Sequence, residues 1–257
     1  MTQKQRLEVI RQTVQQQKKV VVSVLAEQFE VTEETIRRDL DKLEAEGLVA
    51  RTYGGAVLNA ESNTENLDFI RRERKHSEEK LVIANLTEEL LSNNITIGCD
   101  ASSTVVAALT VLKDRKTATV FTYSAQAVSA LEDSELRVIS SGGILERQTL
   151  SFGGPIAKKT LASYYTDVAL FSCKALNLEG GIYDSNEEET ELKKILISHA
   201  QKRILLADHS KFDRLAFVHL SALDSVNTIV TDRKPSDAWV RALAAKGIEL
   251  VYPAEEA

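Results

Sequence analysis

Two stretches and a scatter of strand-end residues hold side-chain types at a spacing that could do chemistry. The first stretch is Gly98-Cys99-Asp100-Ala101-Ser102-Ser103-Thr104, lying between a β-branched run and a helical one. Free backbone N–H groups at a helix start, flanked by hydroxyls, cradle an anion. Asp100, Ala101, Ser102, Ser103 and Thr104 are candidates for such a site, with a plain capped strand-to-helix loop as an even alternative. The scattered residues close later β-like runs: Ser124, Gly142, Gly143, Lys174, and Asp208 with Lys211 in ADHSKF. Strand C-termini of a parallel sheet converge on one edge, so Ser124, Asp208 and Lys211 could meet ligand hydroxyls or phosphate. Lys211 could equally form a surface pair, and Lys193 could point into a cleft or into solvent.

The second stretch is TEETIRRDLDKLEAEGLVARTYGG, Thr32 to Gly55. Ile36, Leu40 and Leu43 form an apolar helical stripe, which leaves Glu33, Glu34, Thr35, Arg37 and Arg38 on exposed or flanking positions of the first two turns, and Thr32, Glu34, Thr35, Arg37 and Arg38 are the candidate contacts. A recognition helix presents those turns to the major groove. Arginine bridges guanine O6 and N7 or grips a phosphate, and threonine contacts bases or phosphates. Arg51, Thr52 and Tyr53 on a following hairpin would reach the flanking backbone. For the Arg-Arg pair alone, helical charge pairs such as Glu34 with Arg38 at i, i+4 are the commoner explanation. The surrounding elements decide between the two.

Those elements begin with a helix over 3–17, carrying Leu7, Ile10 and Val14 at helical spacing, with Lys18 and Lys19 at its end. A second helix runs through SVLAEQF, burying Leu25 and Phe29. It lacks a strong cap at Val21-Val22, with Ser23 near enough to serve. Glu30-Val31 is a very short connection, Thr32 caps the third helix, and Gly47 is placed to end it. LVARTYGGAVL then alternates around Gly54-Gly55 as a hairpin. Three helices and a hairpin over residues 1–57 make a winged helix-turn-helix. Residues 58–78 are polar and mixed in charge, a linker running into a helix.

From residue 79 to 257 the rhythm becomes α/β. Strands are expected at 95–100, 118–124, 136–143, 167–173, 203–208 and 228–232. Helices are expected at 79–92, 103–113, 125–132, 156–164, 187–201 and 236–246. Nearly continuous apolar strands alternating with helices predict a mostly parallel, doubly wound sheet.

Composition narrows the class without naming a partner. The net charge of −6 comes entirely from beyond residue 60, because residues 1–60 hold 9 Lys/Arg and 9 Asp/Glu. A neutral segment still binds phosphates if its cations share a face. No apolar run approaches the roughly 20 residues that span a bilayer. Cys99 and Cys173 are isolated and the N-terminus is polar, so a cytoplasmic, reducing setting is expected. His76, His199, His209 and His219 have no metal-ligand spacing, and neither a nucleophile elbow nor a Walker or dinucleotide loop is present. No cofactor or metal is expected.

Residues 6–57 resemble the N-terminal domain of the DeoR-type bacterial transcriptional regulators, through LAEQFEVTEETIRRDLDKLEAEGLV and the RTYGGAV that follows. Val21 stands where the family usually opens the second helix with Ser or Thr. The remainder resembles the family's sensor domain, which shares its fold with ribose-5-phosphate isomerase. Asp100-Ala101-Ser102-Ser103-Thr104 matches the family's Asp-Ala-Gly-Thr-Thr, and Asp208-His209-Ser210-Lys211-Phe212 matches Asp-x-Ser-Lys-Phe. Thr122-Tyr123-Ser124 matches Thr-Asn-Ser except at Tyr123. DASST, ISSGG-x-LER and LFSC…DSN are most similar to the fucose-operon activator subgroup.

The resemblance implies double-stranded operator DNA and a phosphorylated sugar effector as partners. A single winged helix also needs a second copy, so a homodimer or homotetramer is expected, with 66–92 as one contact surface. The rival class is a sugar-phosphate isomerase carrying a DNA module. Isomerisation needs a carboxylate base. Where the isomerases carry Asp-Gly-Ala-Asp-Glu and Glu-Lys, this chain has Phe171-Ser172-Cys173-Lys174-Ala175 and Lys193-Lys194. An enzyme is therefore not expected unless Asp184 or Glu187 to Glu189 took over that role.

Overall fold

The computed structural model describes residues 3–17, 19–45, 48–52, 54–58, 67–92, 95–115 and 117–254, and the chain divides into two compact units, Met1–Arg74 and Lys75–Ala257. The first unit runs α1 (Gln3–Gln17), β1 (Lys19–Val21), α2 (Val22–Phe29), α3 (Glu33–Ala45), β2 (Val49–Thr52), β3 (Gly55–Leu58) and α4 (Leu67–Arg74). Ile10 and Val14 of α1, Leu25 of α2, and Ile36, Leu40 and Leu43 of α3 close on one another and on Val20, Val49 and Ala56. The apolar stripes expected from helical spacing thus meet in one core. A buried ion pair crosses it: Arg6 Nε lies 2.6 Å from Asp39 Oδ2, and Gln3 donates to Asp39 Oδ1.

The hairpin is wider than its sequence suggests. Lys19–Val21 adds a third strand, giving an antiparallel sheet in the order β1-β3-β2. That strand also corrects the expected cap of α2. Val21 is the N-cap residue and supplies no side-chain bond, and Ser23 does not cap either. The Val22 amide instead donates to Gly54 O at 2.9 Å, so the wing turn satisfies the helix start. The approach is tight enough that a Cβ on Gly55 would sit 2.1 Å from Val20 O. Glu30 ends α2 in the left-handed region at φ 53°, and Thr32 Oγ1 accepts from the Thr35 amide at 3.3 Å to open α3. Gly47 lies outside the described residues.

The second unit runs α5 (Ser77–Glu89), β4 (Thr96–Cys99), α6 (Ser103–Leu112), β5 (Thr119–Thr122), α7 (Ala125–Ala130) and β6 (Arg137–Ser140). There follow β7 (Ile144–Glu146), β8 (Ser151–Gly153), α8 (Gly154–Leu161), β9 (Thr166–Ser172), β10 (Ala175–Asn177), β11 (Gly181–Asp184) and α9 (Glu187–Ser198). The chain closes with β12 (Ala200–Leu206), β13 (Val218–Ser221), β14 (Thr228–Val230), α10 (Asp237–Ala245) and β15 (Glu249–Val251). Between residues 58 and 78, expected as linker, α4 and the first residues of α5 are helical, and 59–66 lie outside the described residues.

The main sheet has the order β15-β14-β12-β9-β4-β5-β6, and each neighbouring pair is parallel. Successive residues of β4, β5 and β9 are buried, so both faces of the central strands are covered, as a doubly wound sheet requires. The chain lays β5 and β6 outward on one side of β4, then returns to place β9 on the other. The β4–β9 junction is therefore the topological switch point, where open α/β sheets leave a crevice at the strand C-termini. Three short features were not anticipated: the β7–β8 hairpin, the β10-β11-β13 sheet and the edge strand β15. Among the described residues no helix is long and apolar enough to cross a membrane.

Candidate nucleic-acid interface and ligand site

The first two turns of α3 carry their charges outward. Arg38 Nε is 3.3 Å from Glu34 Oε1 and Arg37 Nη2 is 2.7 Å from Glu33 Oε2, each an i, i+4 pair. The Arg38 side chain is 74% exposed, so its pairing with Glu34 is weak and solvent-screened. The pairing along the helix expected of these arginines is therefore present, in exposed pairs that cost little to exchange. Thr35 and Glu34 flank them, and the Thr32 and Thr35 hydroxyls are 2.9 Å apart.

The wing is less free than α3. Arg51 Nε lies 3.2 Å from Asp41 and its Nη1 donates to Gly55 O at 3.1 Å, which clamps the hairpin to α3. Its amide adds a bond to Glu44 Oε1 at 3.0 Å. Arg51 thus braces the wing, Thr52 is exposed beside it, and Tyr53 lies outside the described residues.

In the second unit the Asp100 loop sits at the switch point. Its carboxylate is fully buried and fully engaged: Oδ1 accepts from the Ser102 amide at 2.9 Å and the Ser102 hydroxyl at 2.6 Å. Oδ2 accepts from the Ser172 amide at 2.9 Å and lies 3.1 Å from Lys193 Nζ. Asp100 therefore ties the end of β4 to the end of β9 and shapes the loop that follows. Ser102 in turn caps α6 by accepting from the Val105 amide at 3.3 Å. Ser103 and Thr104 open α6 with their side chains uncommitted; among the described residues neither hydroxyl has a hydrogen-bond partner.

Lys193 is buried, so of its two expected placements it does not point into solvent. It reaches from α9 to donate to Asp184 Oδ2 at 2.6 Å and Ser172 O at 2.8 Å, and it forms an ion pair with Asp100 Oδ2 at 3.1 Å. Burial alone would favour the neutral amine, but Asp184 and Asp100 outweigh it and hold the ammonium well above its usual pKa. Asp184, whose other oxygen accepts from the Ser185 amide at 2.8 Å, was not foreseen as its partner.

The remaining candidates are spread along the same edge. Ser124 ends the β5 side, is fully buried, and caps α7 by accepting from the Ala127 amide at 3.0 Å. Gly142 and Gly143 follow β6 at φ 61° and 115°, and a Cβ on Gly143 would meet Gly153 O at 2.5 Å. Lys174 is exposed at the start of the β10–β11 hairpin. At the end of β12, Asp208 repeats the Asp100 pattern: its Oδ1 accepts from both the amide and the hydroxyl of Ser210. Burial pushes the Asp208 carboxyl up, but Ser210 and Lys211, whose Nζ is 3.5 Å away, bring it below the usual range. The structure thus gathers Asp100, Ser102, Ser103, Thr104 and Lys193 at the β4–β9 switch point and Asp208 with Lys211 on the far side of β9. Tyr123, the departure from Thr-Asn-Ser, is fully buried just after β5.

A reading helix with a wing and a parallel-sheet unit with a polar switch-point loop define a regulator with a DNA-binding module and a ligand-binding module. Residues 6–62 match the DeoR-like helix-turn-helix domain, and residues 75–233 match the DeoR C-terminal sensor domain. The chain belongs to the DeoR family of transcriptional regulators. It is 37% identical over 247 residues to the HTH-type transcriptional regulator YulB of Bacillus subtilis, covering 96% of this chain and 95% of that one. It is 37% identical to the L-fucose operon activator of Haemophilus influenzae, with 90% and 92% covered, and 31% identical to the repressor GlcR of Bacillus subtilis, with 100% and 98% covered. Among solved structures, ribose 5-phosphate isomerase A from Methanocaldococcus jannaschii aligns with 54% of this chain and 55% of its own, at 18% identity and TM-score 0.41.

Proposed function

We propose that the protein regulates a carbohydrate-utilisation operon, binding operator DNA through α3 and the wing and a phosphorylated sugar through the second unit. The observation that carries the sugar-phosphate reading is the start of α6. There the uncommitted Ser103 and Thr104 hydroxyls stand at a helix N-terminus beside the switch point, on a loop held by Asp100 and Ser102. Relatives named for an L-fucose operon and a glycerol-3-phosphate regulon support a carbohydrate setting. In this reading Ala101, Ser102, Ser103 and Thr104 hold the phosphate, Ser124, Gly142 and Gly143 line the edge beyond β5 and β6, and Lys174, Asp208 and Lys211 close the β9–β12 side. Asp100 and Lys193 act by positioning the loop.

On DNA, Arg37 and Arg38 contact bases or phosphates, aided by Thr32, Glu34 and Thr35, while Arg51, Thr52 and Tyr53 approach the flanking backbone. The protein works as a cytoplasmic homo-oligomer, because one reading head covers one half-site. Effector binding shifts the reading heads of that oligomer and so changes operator affinity; a coupling of about 1–3 kcal/mol is enough for a switch. Against an isomerase, the Asp184 carboxylate is committed to Lys193 and the Ser185 amide, so it is a poor base.

Thermal denaturation against a panel of sugar phosphates and their free sugars tests the effector reading. Ligand bound to the native state raises the melting temperature by mass action. A rise with one phosphorylated sugar and none with its free form is expected. No rise with any member of the panel would remove sugar phosphates as the effector class.

A further inference from the structure

Tyr123 carries a buried hydroxyl with no hydrogen-bond partner, among the few such side-chain atoms in the described residues. Its position makes this unusual. Thr122 is the register partner of Cys99 across β5 and β4, so Tyr123 follows β5 where Asp100 follows β4, side by side at the sheet's C-terminal edge. The phenol lies within electrostatic reach of Asp100, Lys193, Glu189 and Asp184. Its ring belongs to the apolar core with Ala101, Phe121 and Ala157, while the phenol oxygen is within reach of the charged cluster that shapes the α6 loop.

A buried donor left unpaired costs stability, and a phenylalanine would fill the same ring volume without that cost. The four charged neighbours do not relieve it. Asp100 spends both oxygens on Ser102, Ser172 and Lys193. Lys193 donates to Asp184 and Ser172 and pairs with Asp100. Burial, reinforced by Asp100, holds the phenol well above its usual pKa, so it stays protonated and able to donate at neutral pH. A hydroxyl of that kind, beside a loop suited to an anion, fits an oxygen that arrives with the ligand.

We propose that Tyr123 is a specificity-determining residue of the sensor site, its hydroxyl donating to a sugar oxygen of the bound sugar phosphate. This rests on the effector reading above and adds to it the group that tests the sugar part of the ligand. A site built to hydrogen-bond one substrate oxygen discriminates strongly against analogues lacking it, because the buried partner is then left unpaired.

The test is Tyr123→Phe in the full-length protein, using glucose 6-phosphate, fructose 1-phosphate, ribose 5-phosphate and glycerol 3-phosphate, with the 2-deoxy forms of the glucose and ribose compounds. Without ligand, the variant should melt about 2–4 °C higher than the wild type, since an unpaired hydroxyl has been removed. With the panel member that stabilises the wild type most, its affinity by calorimetry should fall about tenfold. A lower melting point for the ligand-free variant would overturn the inference, because it would mean that the hydroxyl is already satisfied in the folded protein. Full retention of affinity in the variant would overturn it while leaving the effector reading intact. Failure of the whole panel to stabilise the wild type would remove the effector reading itself and this inference with it.

Discussion

The reading helix and the switch-point cluster use the same chemistry, cation against carboxylate, in opposite settings. On α3, Arg37 and Arg38 pair with Glu33 and Glu34 in solvent, one turn away along a single helix. At the sheet edge, Lys193 joins Asp184 and Asp100 in near-complete burial, across residues drawn from three separate elements. Exposed pairs contribute little and exchange partners readily, which suits the DNA contacts proposed for these arginines. The buried cluster is saturated and expensive to break, which suits a scaffold that keeps a loop in one shape. Charge is therefore exposed and exchangeable in one unit and buried and fixed in the other.

The strongest way to break that comparison is Lys193→Met. It leaves Asp100 and Asp184 buried without their cation and should cost about 3–5 kcal/mol. Trp239 is the chain's only tryptophan and is buried in the second unit, where its indole Nε1 donates to Asp213 at 2.8 Å, so urea unfolding followed by its fluorescence reads this unit. A cost below about 1 kcal/mol would mean that the cluster does not hold the sheet edge. The reading head has its own buried pair, and Arg6→Met should cost about 3 kcal/mol by unfolding followed through helical circular dichroism. Together these variants locate each unit's buried charge.

Arg38→Ala sharpens the exposed side of the comparison. Affinity for a duplex selected by the protein should fall about tenfold, and if Arg38 grips a phosphate the salt slope should shrink by roughly one ion. Stability should stay within about 0.5 kcal/mol, since only a screened surface pair is lost. The smallest effect belongs to Ser210→Ala, which removes a donor from Asp208 and should cost about 1 kcal/mol near neutrality. The folded Asp208 carboxyl is held low, so its contribution is present above the ordinary carboxylate value of about 4 and is lost as pH falls through the depressed one. The difference between variant and wild type should therefore vanish in acid, as read by stability measured across pH.

Much of this was legible because its causes are local. Ile36, Leu40 and Leu43 announce α3 by spacing alone, Thr32 caps it from within one turn, and the apolar runs behind β4, β5, β9, β12 and β14 stand out against polar neighbours. What stayed hidden depends on distant partners. Lys19–Val21 looks like the tail of a helix until Gly55–Val57 pairs with it, and Val22 seems uncapped until Gly54 is folded against it. Asp39 meets Arg6 across 33 positions and Asp100 meets Ser172 across 72, separations that leave no periodic trace. The strands of the β10-β11-β13 sheet are only 3 or 4 residues long, too short to show alternation. Asp100 itself was visible as a candidate site residue, but its engagement by Ser102, Ser172 and Lys193 was not.

The central claim is that one chain couples a sugar-phosphate site to a DNA-reading helix. The most direct measurement is the dissociation constant for a selected duplex, by fluorescence anisotropy at fixed salt, with and without a saturating amount of the panel sugar phosphate that stabilises the protein. A change of about 5- to 150-fold in either direction is predicted. An unchanged constant with the sugar phosphate bound would contradict the coupling.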